Sequence, residues 1–193
     1  IEYQAGGVAW MQHMYNNGGH CLLADEMGLG KTLQVLTLLA HCAEFNQSSI
    51  IVCPASVGPV WKMEIERWYP KLKVKILKSD RLPKNEKGVL WLSSYSLLRR
   101  HVEQVKVVKF EYLILDEAQC IKNPLAKVSQ ACYALNGKYR LAITGTPIEN
   151  KLLDIWSIFN FLMPGLMGTM QEFEVALQVG NAKWVSEFSN HVK

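Results

Sequence analysis

Five consecutive residues, Gly28 to Thr32, have the types and order of a loop that binds phosphate groups. They follow the apolar run HCLLA (20–24) and open a segment in which apolar residues recur with helical spacing. Backbone N–H groups at the start of a helix attract anions, and glycine lets phosphate oxygens approach the backbone closely. In such a loop Lys31 supplies a positive charge to the β- and γ-phosphates of ATP, and the hydroxyl of Thr32 suits Mg²⁺. The generic loop has glycine where this chain has Asp25, so a plain glycine-rich turn with a capping threonine stays open on this stretch alone.

Two carboxylates follow a second apolar run, YLILDEAQ (112–119). An acid at the end of a buried strand is needed to hold the Mg²⁺ whose other ligands come from phosphate and Thr32, which predicts that role for Asp116. Glu117 can then orient and deprotonate the attacking water. A helix cap is the alternative for Asp116. Two halves of one Mg²⁺–nucleotide site, each at a strand end, favour ATP hydrolysis over coincidence.

A third polar turn, TGTP (144–147), follows the apolar run YRLAIT (139–144). The hydroxyl groups of Thr144 and Thr146, which flank Gly145, can hydrogen-bond both the carboxylates and a neighbouring loop. We therefore predict that this turn couples the state of the nucleotide to the rest of the molecule. From chemistry alone it is also an ordinary turn.

These turns need a scaffold that brings strand ends together. Short apolar runs alternate with helix-like segments, which predicts an α/β fold with a mainly parallel sheet and helices on both faces. The predicted strands are 20–24, 49–54, 73–77, 88–95, 110–118 and 139–144. The predicted helices are 31–45, 57–70, 96–102, 125–135 and 152–162. Because ligands bind at the carboxyl ends of such strands, the polar residues that follow them should form one site.

The composition sets wider bounds. The 193 residues, 49% apolar and 20% charged, suffice for one sizeable domain, and a net charge of +4 permits a nucleic-acid partner without requiring one. No apolar run approaches the roughly 20 residues of a membrane span, and the first residues lack the layout of a signal peptide, so we expect no membrane partner. The five cysteines form no C-x-x-C pair, which predicts reduced structural thiols and argues against a zinc site.

Together the motifs resemble those of superfamily 2 helicase-type ATPases, and specifically the Swi/Snf-type double-stranded DNA translocases, over nearly the whole chain. The stretches that carry the resemblance are YQAGGVAW (3–10), LADEMGLGKTLQ (23–34), IIVCPASVGPVWKMEIERW (50–68), WLSSYSLLRR (91–100), LDEAQCIKNP (115–124) and LAITGTPIENKLLDIWSIFNFLMPG (141–165). The resemblance implies a RecA-like P-loop NTPase fold in three layers. It also makes Asp25 normal, since this family carries an aspartate at that position.

The resemblance further implies roles for single residues. Gln4 would read adenine, and the catalytic set would be Lys31, Asp116, Glu117 and Gln119. The fourth position of this acidic motif is often histidine in the family. Gln119 can still donate and accept hydrogen bonds, so coupling to the TGTP turn should survive, but it cannot gain a proton near neutral pH. The glutamine form resembles the prokaryotic branch. The nucleotide-binding set would be Gln4, Asp25, Glu26, Met27, Gly28, Leu29, Gly30, Lys31 and Thr32.

A translocase that tolerates any sequence should contact the phosphates of duplex DNA, not the base edges. The residues predicted for these contacts are Pro54, Ser56, Ser94, Tyr95, Arg99 and Arg100. For the two arginines a solvated helix end is an equally good interpretation.

The resemblance also implies an organisation in lobes. Residues 1–163 would form the first RecA-like lobe and 164–193 a helical extension toward a second lobe, whose motifs, including an arginine finger, are absent here. The isolated chain should then bind MgATP weakly and hydrolyse it very poorly. The protein would be cytoplasmic and nucleoid-associated if prokaryotic, and nuclear if eukaryotic.

Three other functions stay open on the sequence. An RNA-dependent helicase lobe would share the same ATP site, and only the flanking motifs favour duplex DNA. A non-motor P-loop protein, such as a small-molecule kinase or a switch, has no need for the acidic motif and the TGTP turn on separate strands. A nucleotide-free scaffold is disfavoured because Lys31, Thr32, Asp116 and Glu117 are all present.

Overall fold

The computed structural model of the chain describes residues 2–24, 28–41, 47–145 and 152–178. Its strands are β1 (Cys21–Leu23), β2 (Ser48–Cys53), β3 (Lys73–Ile76), β4 (Val89–Ser94), β5 (Lys109–Leu115) and β6 (Asn136–Ile143). Its helices are α1 (Glu2–Asn16), α2 (Lys31–His41), α3 (Gly58–Trp68), α4 (Tyr95–Arg100), α5 (Val102–Val105), α6 (Lys127–Tyr133), α7 (Leu152–Leu162) and α8 (Met170–Gln178), with a short 3-10 helix at Ala118–Ile121. Every predicted strand is present, with bounds that differ by up to three residues.

The six strands form one sheet in the order β1-β6-β5-β2-β4-β3, and every described pair is parallel. Strands buried on both faces are built from continuous apolar runs, and all six residues of β2 are buried. Ile50 and Val52 face one apolar core, whereas Ile51 and Cys53 face the other. The predicted parallel α/β sheet is therefore confirmed.

Helices cover both faces of the sheet. On one side α1, α2 and α3 pack next to one another, and Leu36, Leu39 and Trp61 enter the core with Ile51. On the other side α4, α6 and α7 pack together with the 3-10 helix. Phe110 and Phe161 fill that second core. All six strands thus end at one edge of a three-layer molecule, where their following turns meet.

Two helices add to the predicted set. The sequence pattern did not indicate α1 or α5. The adjacent Gly6 and Gly7 inside α1 each cost about 1 kcal/mol relative to alanine in a helix, and the burial of Met11 against α2 outweighs that preference. Beyond residue 164 the expectation of helix without strand is confirmed for α8. Phe173 of α8 packs against Trp156 of α7, and the domain boundary after residue 163 stays a prediction.

The described cysteines are free thiols. Cys21, Cys53 and Cys132 are buried and Cys120 is exposed, while Cys42 lies outside the described side chains. Within the described ranges, no helix combines the length and the apolar character needed to cross a bilayer.

Candidate active site

The loop between β1 and α2 has the backbone of a phosphate cradle. Gly28 and Gly30 have φ of +87° and +72°, in the left-handed region that favours glycine. Helix α2 begins at Lys31, and Gln34 N–H donates to the carbonyl of Gly30 at 3.1 Å to close its first turn. The N–H groups at the start of that turn are the anion-binding groups that the sequence predicts. Asp25, Glu26 and Met27 lie outside the described residues.

Two glutamines hold this loop from different helices. Gln4 Nε2 in α1 donates to the Leu29 carbonyl at 3.3 Å, and Gln34 Nε2 in α2 reaches the same oxygen at 3.5 Å. A β-carbon on Gly30 would lie 2.3 Å from Gln4 Nε2, so a side chain at residue 30 would displace the end of Gln4 from this loop. Beside this contact, a cavity of about 350 Å³ lies between the two helices and is lined by Val8, Gln4 and Gln34. The contact of Gln4 with adenine stays a prediction.

Asp116 is fixed from several directions at the end of β5. It is 8% exposed, and its carboxylate accepts hydrogen bonds from Trp61 Nε1 at 2.7 Å and from the Glu117 N–H at 2.9 Å. The Asp116 N–H donates to the Val52 carbonyl at 2.8 Å, and its own carbonyl accepts from the Tyr95 hydroxyl at 2.7 Å. The carboxylate therefore has a defined orientation before any ligand binds.

The surroundings of Asp116 favour a nearby cation. Burial raises the pKa of its carboxyl, and the neighbouring Glu117 carboxylate raises it further. The hydrogen bond from Trp61 and the positive charge of Lys31 lower that pKa, so the phosphate loop and Asp116 are close enough to interact. An opposite charge placed beside a buried carboxylate favours its ionised form.

Glu117 occupies a strained backbone position. Its φ of 51° and ψ of 57° make it the one non-glycine residue with positive φ in the described part of the chain. Such a conformation costs about 1–2 kcal/mol and is concentrated at functional sites. Glu117 Oε2 accepts a hydrogen bond from Gln119 Nε2 at 2.6 Å, and Gln119 Oε1 accepts one from Thr144 Oγ1 at 2.9 Å. We call this path, from Thr144 through Gln119 to Glu117, the relay.

The sheet order explains why the relay forms. Because β6 lies between β1 and β5, the residue after β6 is flanked by the phosphate loop on one side and the acidic turn on the other. Thr144 is 1% exposed, and its N–H donates to the Leu23 carbonyl at 3.0 Å, just before that loop. Gly145 follows it, half-buried, whereas Thr146 lies outside the described residues.

Comparison with known proteins identifies the family. A family model described as the SNF2-related domain matches residues 3–193. This chain belongs to the SNF2 family. Membership implies the use of a nucleotide, and it confirms the resemblance drawn from the motifs.

Individual SNF2 relatives agree with that assignment. The chain is 39% identical over 183 residues to a protein of Mycoplasma pneumoniae described as an uncharacterized ATP-dependent helicase, covering 89% of this chain and 18% of the relative. It is 32% identical over 222 residues to the DNA excision repair protein CSB of Oryza sativa subsp. japonica, covering 93% of this chain and 19% of that protein. The chain thus spans about a fifth of the length of these curated relatives.

A solved SNF2 structure confirms the fold. The SWI2/SNF2 ATPase core of Sulfolobus solfataricus, solved in complex with dsDNA, superposes with a TM-score of 0.81 and 40% identity, covering 92% of this chain and 39% of that chain. This likeness confirms the predicted RecA-like fold for the SNF2 lobe described above.

Three of the residues predicted to contact DNA lie at the carboxyl edge of the sheet. Pro54 and Ser56 lie in the turn after β2, where Ser56 is exposed, and Ser94 caps α4 by accepting from the Leu97 N–H at 3.3 Å. They share this edge because β2 and β4 are paired neighbours. Arg99 and Arg100 are exposed in the last turn of α4.

The structure places the side chain of Tyr95 against the acidic turn. It is 7% exposed, and its hydroxyl donates to the Asp116 carbonyl at 2.7 Å. Ser94 ends β4, whereas Tyr95 is the first residue of α4. The predicted contact of Tyr95 with DNA stays a prediction.

Trp61 is a site residue that sequence reasoning missed. Its side chain is 1% exposed, and its indole N–H donates to the Asp116 carboxylate. The only sequence signal was a large aromatic residue on the buried side of α3, shared with Ile65, which equally fits plain packing.

The SNF2-type segments that follow the acidic motif and the TGTP turn also meet. The Ser157 hydroxyl of α7 donates to the Ile121 carbonyl in the 3-10 helix. Ser157 also shares a short hydrogen bond with the Tyr133 hydroxyl, and Ser129 Oγ reaches the same Ile121 oxygen at 3.1 Å. Ser157 of α7 and Ser129 of α6 therefore hold the 3-10 helix that directly follows Glu117.

The residues present fit a bound Mg²⁺–nucleotide. Mg²⁺ prefers hard oxygen ligands and keeps several waters, and Asp116 and Thr32 supply such oxygens. A carboxylate has about four acceptor positions, and the Asp116 carboxylate uses two of them for Trp61 and the Glu117 N–H. Acceptor positions on Asp116 therefore stay available for a cation.

Proposed function

We propose that this chain is the ATP-binding first lobe of a duplex-DNA-dependent ATPase that translocates along DNA. The observation that supports this most is the relay. The relay joins the TGTP turn to Glu117. Glu117 is next to Asp116, whose carboxylate interacts with Lys31 of the phosphate loop. A phosphate-binding protein that is not a motor has no need for a third strand end that follows the state of the catalytic carboxylate.

The described residues divide the chemistry among them. The N–H groups at the start of α2 and the charge of Lys31 bind the β- and γ-phosphates. Thr32 and Asp116 would hold Mg²⁺, which when bound would neutralise the charge that develops on the phosphate oxygens. Glu117 orients the attacking water and accepts its proton. Gln119 fixes the Glu117 carboxylate through a short charge-assisted hydrogen bond, so its orientation depends on Thr144.

Duplex DNA is the proposed partner. In support, the SWI2/SNF2 core that resembles this chain was solved with dsDNA, and Pro54, Ser56 and Ser94 lie at the same edge as the acidic turn. Contacts to phosphates give binding without sequence preference. The formal charge of +4 is compatible with such contacts.

A second RecA-like lobe is the other proposed partner. An arginine supplied from outside the phosphate loop is worth roughly 10³–10⁵ in turnover in related phosphoryl-transfer sites. Two lobes that close on ATP and reopen after hydrolysis can hold the DNA backbone in turn. The 193-residue chain alone should therefore bind MgATP weakly and hydrolyse it very slowly.

The test is ATP turnover by the full-length polypeptide without nucleic acid, with duplex DNA and with RNA. Lys31→Ala serves as the blank. We expect strong stimulation by duplex DNA that the variant abolishes. Stimulation by RNA alone would assign the protein to the RNA-dependent helicases, and turnover indifferent to every nucleic acid would refute the motor function.

A further inference from the structure

We infer that Trp61 and Tyr95 are positioning residues that hold the Asp116–Glu117 turn and connect it to the two loops that face DNA. This inference rests on the proposed function. It concerns two buried hydrogen bonds that none of the predicted roles includes.

The first hydrogen bond fixes the carboxylate itself. The Trp61 indole donates to Asp116 Oδ2 at 2.7 Å, and the Trp61 side chain is 1% exposed. An indole N–H can only donate a hydrogen bond. Its bond to Asp116 Oδ2 therefore fixes the orientation of the carboxylate. Groups that hydrogen-bond a metal-binding side chain commonly change metal affinity about 10- to 100-fold when removed.

The second hydrogen bond fixes the backbone just before the strained residue. The Tyr95 hydroxyl donates to the Asp116 carbonyl at 2.7 Å, and Glu117 follows with φ of 51°. A left-handed non-glycine residue persists only where its surroundings determine it strongly. Tyr95 is one of those surroundings, because it anchors the peptide group that leads into Glu117.

Trp61 and Tyr95 each follow closely, in sequence, a loop at the edge of the sheet that is proposed to face DNA. Val57 N–H donates to the Pro54 carbonyl at 2.9 Å, and Trp61 N–H donates to the Val57 carbonyl at 3.1 Å, so the turn after β2 leads rigidly into Trp61. On the neighbouring strand, Tyr95 is the residue directly after Ser94, the cap of α4. A shift of either loop on duplex DNA therefore moves a side chain that holds Asp116.

A matched pair of variants tests the contribution of Trp61. Trp61→Phe removes the indole N–H that reaches Asp116. Trp91→Phe removes a buried indole N–H that has no hydrogen-bond partner among the described residues, with the same loss of volume. Nucleotide affinity is measured with Mg²⁺ and with EDTA, and thermal unfolding is followed for each variant.

For Trp61→Phe we expect about tenfold weaker ATP binding in Mg²⁺ and an unchanged affinity in EDTA, with Trp91→Phe equal to the wild type in both. Equal behaviour of the two variants would overturn the role of Trp61. A wild type whose affinity does not depend on Mg²⁺ would refute the proposed site, and the inference with it.

Tyr95→Phe tests the second bond and removes a single oxygen atom, so it should fold. Tyr69→Phe is its control, since that hydroxyl bonds Thr37 of α2 and not the acidic turn. In full-length protein we expect Tyr95→Phe to lower DNA-stimulated ATP turnover about fivefold, a loss in the range of one buried hydrogen bond. The KM for ATP and the half-saturating DNA concentration should not change. Stimulation equal to that of Tyr69→Phe would overturn the connection to DNA, whereas absent stimulation in the wild type would refute the proposed function.

Discussion

Gln119→Leu removes both hydrogen bonds of the relay, whereas Thr144→Val removes only the one from Thr144, and each change nearly keeps the shape of the side chain. The bond from Gln119 to Glu117 is 2.6 Å long and ends on a carboxylate. Hydrogen bonds to charged groups contribute about 1.5–3 kcal/mol, and about 1.4 kcal/mol corresponds to a factor of ten in rate. We therefore expect Gln119→Leu to lower the turnover number roughly 10- to 150-fold.

The bond from Thr144 to Gln119, at 2.9 Å, joins two neutral groups. Such a bond contributes about 0.5–1.5 kcal/mol, so Thr144→Val should lower turnover roughly 2- to 12-fold by the same conversion. The assay is DNA-stimulated ATP turnover by the full-length polypeptide at saturating ATP. Neither side chain belongs to the phosphate loop, so the KM for ATP should stay within a factor of about two, less than 0.5 kcal/mol. Gln130→Leu is the control, since it loses a comparable bond, to the Pro124 carbonyl, that does not lead to Glu117.

The double variant decides whether the two bonds act in series. If Thr144 influences Glu117 through Gln119, adding Thr144→Val to Gln119→Leu costs nothing more. A double variant whose loss equals the product of the two single losses would show independent effects and refute the relay. A larger loss from Thr144→Val than from Gln119→Leu would refute it as well.

Three further measurements test other parts of the structure. Burial and the charge of Arg140 lower the pKa of His20. The contribution of neutral His20 to the free energy of unfolding should therefore be complete above about pH 6.5. It should decrease as the pH falls toward the lowered pKa of His20 in the folded protein. Urea denaturation between pH 5 and 7 should show this slope, and His20→Gln should flatten it. Gly30→Ala should weaken ATP binding more than Gly28→Ala, because a β-carbon at residue 30 meets a side-chain nitrogen at 2.3 Å and one at residue 28 meets nothing within 4 Å; equal losses in a nucleotide titration would contradict this. Among the described thiols, Cys120 should react first with a disulfide reagent at pH 8, as peptide mass mapping would show. Burial raises the pKa of the Cys21 and Cys53 thiols to about 12. Both of these thiols and that of Cys132 are buried and should stay unlabelled until the protein unfolds. Early labelling of any of the three would contradict the fold.

The strand pattern and its polar ends could be predicted because a covered parallel sheet leaves a strong trace in sequence. Each buried strand is a short continuous apolar run, and the residue after it must meet solvent or a ligand. That is why Lys31, Asp116 and Thr144 stand out in the sequence as chemical residues before the order of the strands is known.

The partners of Asp116 could not be predicted, because they depend on that order. Trp61 and Tyr95 lie 55 and 21 residues from Asp116 in sequence. They reach it because β2 lies between β4 and β5 in the sheet. Period and composition describe which side of a helix is buried, but not which polar atom a buried indole or phenol meets. The left-handed backbone of Glu117 was hidden for the same reason, since glutamate gives no local signal for it.

The position of β1 has a consequence for the newly made chain. In the described sheet β1 lies at the edge and pairs with β6 alone, and β6 is translated roughly 110 residues later, which at 5–20 residues per second takes roughly 6–20 s. During that interval the strand before the phosphate loop has no pairing partner, and its apolar residues are open to chaperones or to other nascent chains. The nucleotide-binding loop thus leaves the ribosome well before the strand that holds it in place.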